Sequence, residues 1–236
     1  MRRAGEIAAK ALRTVGEAVR PGMTTERLDR IAEDVVRDAG AVPAFKGYHG
    51  FPATICASVN STVVHGIPGP TPLSEGDILS VDVGAIVDGY YGDTAATFPV
   101  GHVSPEAAAL MDVTRQALEA GIERCVPGMR LYDISAAVQR VAEEAGYSVV
   151  REYVGHGIGR AMHEEPQIPN LGRAGTGPAL AEGMVFAIEP MVNAGSAAVQ
   201  ALEDGWTVVT EDGSLSAHFE HTVAITAEGP VILTVE

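Results

Sequence analysis

Two aspartates, Asp82 and Asp93, stand on either side of the pair Asp88-Gly89 in residues 79–94. Two short apolar runs joined at Asp-Gly predict a β-hairpin with a two-residue turn. In that register Val87 pairs with Tyr90, Gly84 lies opposite Asp93, and the period of two puts Asp82 on the face of Gly84. Both carboxylates then share one face as diagonal neighbours, with Cβ atoms roughly 7–8 Å apart or somewhat less, so both side chains can reach one ion or an ion pair. A solvated hairpin face is the ordinary reading of two such acids, but the flanking valines and isoleucine are typical of a buried strand and count against it. Metal binding is the sharper reading, and it needs further ligands from the rest of the chain.

The second half supplies them. Glu189 lies in residues 184–190, an apolar run whose Pro190 should end the strand or force an edge. Alternation from Ala217 to Thr226 predicts a strand with His218, Glu220, Thr222 and Ala224 on one face and Phe219, His221, Val223 and Ile225 on the other. Asp212-Gly213 gives the preceding turn, and Trp206 to Val209 is expected as the partner strand. Between the two pairs of acids, His156 and His163 sit seven residues apart among glycines. A histidine beside glycine is often only a turn residue. Here glycine also lets the backbone approach an ion closely, and neutral imidazole is a common nitrogen ligand. Asp82, Asp93, Glu189, Glu220 and one of the two histidines form an oxygen-rich set, matched to two closely spaced divalent ions and not to a structural thiolate zinc site.

The elements that would carry these residues follow a simple order. Residues 4 to 20 read as an amphipathic helix ended by Pro21-Gly22, and a second helix is capped by Thr24 or Thr25 and closed by Ala39-Gly40. An aromatic loop over residues 45–52, a short strand near Thr54 to Val59, and the segment Val63 to Pro68 lead to the hairpin. Ser104-Pro105 opens another helix. Pro127-Gly128-Met129 and Ala145-Gly146 then repeat Pro21-Gly22-Met23 and Ala39-Gly40 at an offset of 106, and Glu189 follows Asp82 at 107. An internal duplication, approximately residues 1–100 and 101–236, within a single domain is the expectation, with two acids from each half.

Composition narrows the field. At 236 residues and 46% hydrophobic content the chain is sized for a packed globular core. A formal charge of −15, from 16 basic and 31 acidic residues, argues against a nucleic-acid partner. The only cysteines are Cys56 and Cys125, and the amino-terminal pattern is amphipathic, with no signal-like apolar region and no membrane-spanning run. A reduced cytoplasm is the expected compartment.

These segments together resemble the type I methionine aminopeptidases from about residue 3 to the end. The matching stretches are residues 47–50, 65–68, 81–83, 92–94, 155–159, 163–166, 188–191 and 219–222. The resemblance implies an α/β (α+β) pita-bread fold: a pseudo-twofold, curved antiparallel sheet with helices on its outer face. It implies a single catalytic metallopeptidase domain that removes the amino-terminal methionine of nascent polypeptides ahead of a small second residue. It makes Asp82, Asp93, His156, Glu189 and Glu220 the ligands of two divalent ions (Co, Mn, Fe or Zn), with Asp93 and Glu220 bridging. Glu189 becomes the proton acceptor, His163 the stabiliser of the tetrahedral intermediate, and His65 the residue that positions the scissile amide and helps protonate the leaving amine. Tyr48, Phe51, Cys56, Met162 and Trp206 would line the methionine slot together with His65 and His163. Asn60 and Ser216 match a monovalent-cation site of some relatives. A monomer, in transient contact with the ribosome, is expected. The chain departs from many relatives at Phe45 and Val64, which replace cysteines, and at Met162, which replaces phenylalanine.

Two alternatives carry distinct expectations. A prolidase-like Xaa-Pro hydrolase of the same fold would usually carry a separate amino-terminal domain, for which a first helix starting within the opening ten residues leaves no room. A non-catalytic binding module of that fold would have lost ligands, whereas all five ligand positions and both unligated histidines are filled here.

Overall fold

Asp88 and Gly89 make the turn of the central hairpin. In the computed structural model, which describes residues 1–235, they take φ of 52° and 75°, the left-handed pair that a tight twisted hairpin requires. Val87 faces Tyr90, Gly84 faces Asp93 and Asp82 faces Ala95, as the alternation predicts.

In chain order, helices α1 (Arg2–Ala18) and α2 (Thr25–Asp38) precede strands β1 (Val42–Pro43), β2 (Ile55–Val59), β3 (Thr62–Val64) and the hairpin β4 (Ile78–Val87) and β5 (Tyr90–Pro99). Helices α3 (Pro105–Ile122) and α4 (Leu131–Glu144) follow. The rest is strand: β6 (Ser148–Val149), β7 (Gly155–Gly157), β8 (Glu164–Ile168), β9 (Val185–Ile188), β10 (Met191–Asn193), β11 (Val199–Ala201), β12 (Val208–Thr210), β13 (Ser216–His218), β14 (Glu220–Thr226) and β15 (Gly229–Ile232). The caps are those expected: the hydroxyl of Thr24 accepts the amide of Arg27, and Ser104 caps α3 ahead of Pro105.

Nine strands form one antiparallel sheet in the order β1-β4-β5-β14-β9-β7-β8, with β2 beside β4 and β15 beside β14. Strand alternation divides its two faces. Leu79, Val81, Val83 and Ala85 of β4 join Ile7, Ala11, Val15, Leu28, Ala32 and Val36 of the first two helices in one apolar cluster. Phe186 and Ile188 of β9 and Val223 and Ile225 of β14 do the same with Leu118, Ile122, Leu131 and Ile134 of the second helix pair. Helices thus back one face, and the intervening positions, Asp82 and Glu220 among them, are left for the other.

The strand expected from Ala217 to Thr226 is interrupted. β13 ends at His218 and pairs with β10, whereas β14 begins at Glu220 and pairs with β9. Between Ile188 opposite His221 and Met191 opposite His218 the register is kept but the pairing is reduced to the Phe219 amide donating to the Pro190 carbonyl at 3.3 Å, because Pro190 has no amide hydrogen to donate. The segment near Trp206 is not the partner of this strand either. Its strand, β12, pairs with β11 and β3 in a small separate sheet.

Helix α1 lies unusually close to β5. A Cβ at Gly92 would fall 2.5 Å from the backbone nitrogen of Gly5, and one at Gly5 would fall 2.2 Å from the carbonyl oxygen of Leu233. Helix propensity alone favours alanine over glycine by about 1 kcal/mol, but backbone cannot yield as a side chain does. Gly5→Ala is expected to destabilise the protein by at least roughly 1 kcal/mol, within the range for overpacked sites. Urea unfolding of the variant checks the sign, and a raised midpoint would contradict the close packing.

Candidate metal centre

The hairpin delivers Asp82 and Asp93 to one face, and the interrupted stretch of the ladder delivers Glu189 and Glu220 beside them. Threonine hydroxyls fix this join. Main-chain pairing of β5 with β14 covers only Ala95 with Glu220 and Thr94 with His221. Beyond it, the Thr222 hydroxyl accepts the amide of Asp93 at 3.0 Å and donates to its carbonyl at 2.8 Å. Thr94 donates to the carbonyl of Glu220 at 2.8 Å. Side chains therefore replace the ladder where the carboxylates must be placed.

His156, on the short strand β7, approaches the acids from the other side. Its Nε2 lies 3.6 Å from Glu189 Oε1 and 4.0 Å from Asp93 Oδ2. Its Nδ1 lies 2.9 Å from the carbonyl of Gly157. A carbonyl can only accept, so Nδ1 carries the proton and Nε2 presents a lone pair to the cluster. Asp93, His156 and Glu220 each offer an atom within 4.8 Å of the others.

Electrostatically the cluster is unbalanced. Asp82 Oδ1, Asp93 Oδ1 and Glu220 Oε1 are buried without a hydrogen-bond partner. Among the described residues no lysine or arginine pairs with any of the four acids; their ion-pair partners are His156 and His218. Burial pushes the Asp82 carboxyl up to about 7. Burial, and then the charges of neighbouring acids, holds Asp93, Glu189 and Glu220 well above the carboxylate range. The same burial lowers His65 and His156 to about 4 and His218 to about 3, so these rings are neutral at pH 7. Four acids, three of them with an orphaned oxygen, a neutral imidazole and no organic cation fit divalent metal ions.

The cavity above this cluster has a volume of about 340 Å³. All twelve residues expected at the site line it: the five candidate ligands, the histidines His65 and His163, and Tyr48, Phe51, Cys56, Met162 and Trp206. Phe51, Cys56 and Met162 are buried in one apolar cluster with Phe45, against which Tyr48 and Trp206 pack. Phe51 and Trp206 meet edge to face with ring centroids 5.1 Å apart. Burial raises the Cys56 thiol well above its usual value, so it is an apolar lining group. Tyr48 Oη lies 2.8 Å from Nδ1 of His163, and the rings of His163 and His156 are 4.3 Å apart. His65 takes a left-handed φ of 59°, strained for a residue with a side chain, and its ring packs edge-on to Tyr153 and Trp206.

Asn60 and Ser216 also meet, through the Ser216 amide and the Asn60 carbonyl. The Asn60 side chain is engaged with the Ile78 amide and the Asp77 carboxylate. Phe45, already noted as a departure that bears on the pocket, lines the cavity. Two histidines were not expected at the site: His49 also lines the cavity, and His218 reaches the acids. Strand alternation already put His218 on the face of Glu220. His49 and Phe45 come from a loop, where no periodicity points.

The pKa shifts set a sign for stability. Each raised carboxyl keeps a proton in the fold that the unfolded chain releases near pH 4, so the fold loses stability as pH rises from about 4 through the folded value. The lowered histidines work oppositely, adding stability as pH rises from about 4 to about 6.5 and nothing beyond. Above about pH 6.5 only the acids remain. Metal-free protein is therefore expected to melt at a lower temperature at pH 8.5 than at pH 6.5, each about two units from the other, and added divalent ion should abolish the difference. Thermal unfolding in chelator and in manganese checks both parts.

A model of metallopeptidase family M24 matches residues 1–227. A methionine aminopeptidase of Clostridium acetobutylicum is 55% identical over 235 residues, covering 99% of this chain and 94% of that protein. The crystal structure of a methionine aminopeptidase from Thermotoga maritima superposes with a TM-score of 0.99 at 48% identity, covering 100% of this chain and 95% of that one. A prolidase from Pyrococcus horikoshii shares the fold at a TM-score of 0.80 and 24% identity, with this chain spanning 61% of its length. By the family match over nearly its whole length, the shared pita-bread architecture and this level of identity, the chain belongs to metallopeptidase family M24, among the methionine aminopeptidases.

Proposed function

We propose that this chain, a metal-dependent hydrolase, releases methionine from the amino terminus of polypeptides using the residues gathered in the one cavity. The observation that carries the reading is the convergence of an uncompensated carboxylate cluster and an apolar slot on the same cavity of about 340 Å³. Asp82, Asp93, His156, Glu189 and Glu220 would hold two divalent ions. When bound, the ions supply Lewis acidity toward the scissile carbonyl and a water acidic enough to give up its proton near neutral pH.

The residues divide the remaining work. Glu189, just past the end of β9, takes the proton from the attacking water. The Tyr48 hydroxyl, kept protonated by burial, donates to Nδ1 of His163 and leaves Nε2–H as the donor to the carbonyl oxygen as charge develops there. His65, fixed in its strained backbone, holds the scissile amide and passes a proton to the leaving nitrogen. Phe51, Cys56, Met162 and Trp206 enclose an unbranched thioether, for which apolar, polarizable walls are suited. The second ion, when held there, would take the free α-amino group of the substrate. The single domain joins two related halves, each contributing two of the acids.

Peptides Met-Ala-Ser and Met-Gly are expected to be cut at least about 10-fold faster than Met-Leu or Met-Lys, the range of steric discrimination by a pocket. N-acetylated peptides should not be cut. Measuring kcat/KM across the series with Ala-Pro as control tests the reading; faster cleavage of Ala-Pro than Met-Ala would make it a prolidase-like enzyme. His163→Ala should lower kcat by roughly 100-fold or more, as for a lost oxyanion donor, while metal content by elemental analysis stays unchanged. Lost metal would make His163 a ligand.

A further inference from the structure

His218 takes no part in the ligand set, yet its ring is directed at it. The side chain is 2% exposed, and Nε2 is buried with no hydrogen-bond partner. That nitrogen lies 3.7 Å from Glu189 Oε2 and 4.0 Å from Glu220 Oε2. On the opposite side His156 Nε2 lies 3.6 Å from Glu189 Oε1. The Glu189 carboxylate is thus flanked by two imidazoles, one for each oxygen.

The His218 backbone cannot withdraw. Its amide donates to the Thr97 hydroxyl at 2.9 Å, and that hydroxyl donates back to the His218 carbonyl at 2.9 Å. Ser80 Oγ in turn contacts Thr97 Oγ1 at 2.8 Å. On its other edge His218 pairs with Met191 of β10. Glu189, by contrast, sits in the interrupted stretch of the ladder beside Pro190. A buried ring nitrogen facing a carboxylate oxygen across a short gap is, in its N–H tautomer, a donor in search of its acceptor.

We infer that His218 is a positioning residue whose Nε2–H binds Glu189 Oε2, leaving Oε1 as the oxygen that faces the metal beside His156. The inference rests on the reading of Glu189 as ligand and proton acceptor. Direct ligation by His218 is the competing arrangement. An outer hydrogen bond of this kind fixes ligand rotation and is typically felt in metal affinity.

Glutamine places its amide nitrogen near the position of a histidine Nε2, whereas asparagine reaches only as far as Nδ1. Cobalt(II) binding to the metal-free protein by calorimetry, and paramagnetic proton NMR of the cobalt-loaded protein, separate the outcomes. His218→Gln is expected to retain affinity within about 3-fold, whereas His218→Asn and His218→Leu lose roughly 10- to 100-fold. One exchangeable imidazole signal shifted by cobalt, from His156, is expected in wild type and in every variant. With Met-Ala-Ser as substrate, the weakened variants at saturating metal should lower kcat with KM little changed. Equal affinity in all variants would overturn the inference. So would a second shifted imidazole in wild type that the substitutions remove, which would make His218 a ligand. Circular dichroism identifies any variant that fails to fold, and the glutamine–asparagine pair decides the matter without the leucine variant. Wild-type protein that binds cobalt but releases no methionine would instead overturn the functional reading.

Discussion

Asp82, Asp93, Glu189 and Glu220 repel one another in a place with little water, and the surrounding structure is arranged to hold them there. Two unit charges about 4 Å apart in a medium of effective dielectric near 20 oppose each other by on the order of 4 kcal/mol, and four acids multiply the pairs. Without cations the cluster relieves itself by keeping protons, which is the direction in which all four carboxyls are displaced. The apolar packing behind the sheet resists the strain. Two helix pairs cover the back of the strands whose front carries the acids.

The register is the same on both sides of the gap at Pro190 and Phe219, so Glu189 and Glu220 stand opposite one another as a cross-strand pair although the ladder is interrupted there. The apolar wall of Phe51, Cys56, Met162 and Trp206 lies beside the acids in the same cavity.

Much of this was legible in the sequence because it depends on local rules. Asp88-Gly89 announces the hairpin register, and the register places Asp82 relative to Asp93 without any knowledge of the rest. Pro190 announces the break in its strand. What local rules do not carry is which strand lies beside which. The segment near Trp206 was expected to pair with the Glu220 strand and instead joins β3 and β11, because an Asp-Gly turn specifies a reversal but not that the reversed strands hydrogen-bond. The break at Phe219 follows from Pro190 on the neighbouring strand, a cause 29 positions away in the chain. The slot was recognisable only through resemblance, since aromatic loop residues have no period to betray where they point.

The threonine hydroxyls that join β5 to β14 have a consequence for how such a chain can drift. Thr97 with His218, and Thr222 with Asp93, continue the register of the short main-chain ladder by side chain alone. Valine is nearly the same shape as threonine and would fill the space, so by volume it is among the mildest exchanges available. At these positions it would leave an amide and a carbonyl stranded in the interior, beside the very acids that must be placed. Tolerance here is therefore governed by chemistry and not by size: serine, the smaller residue, is the gentler neighbour, and the isostere is the one that would part β5 from β14.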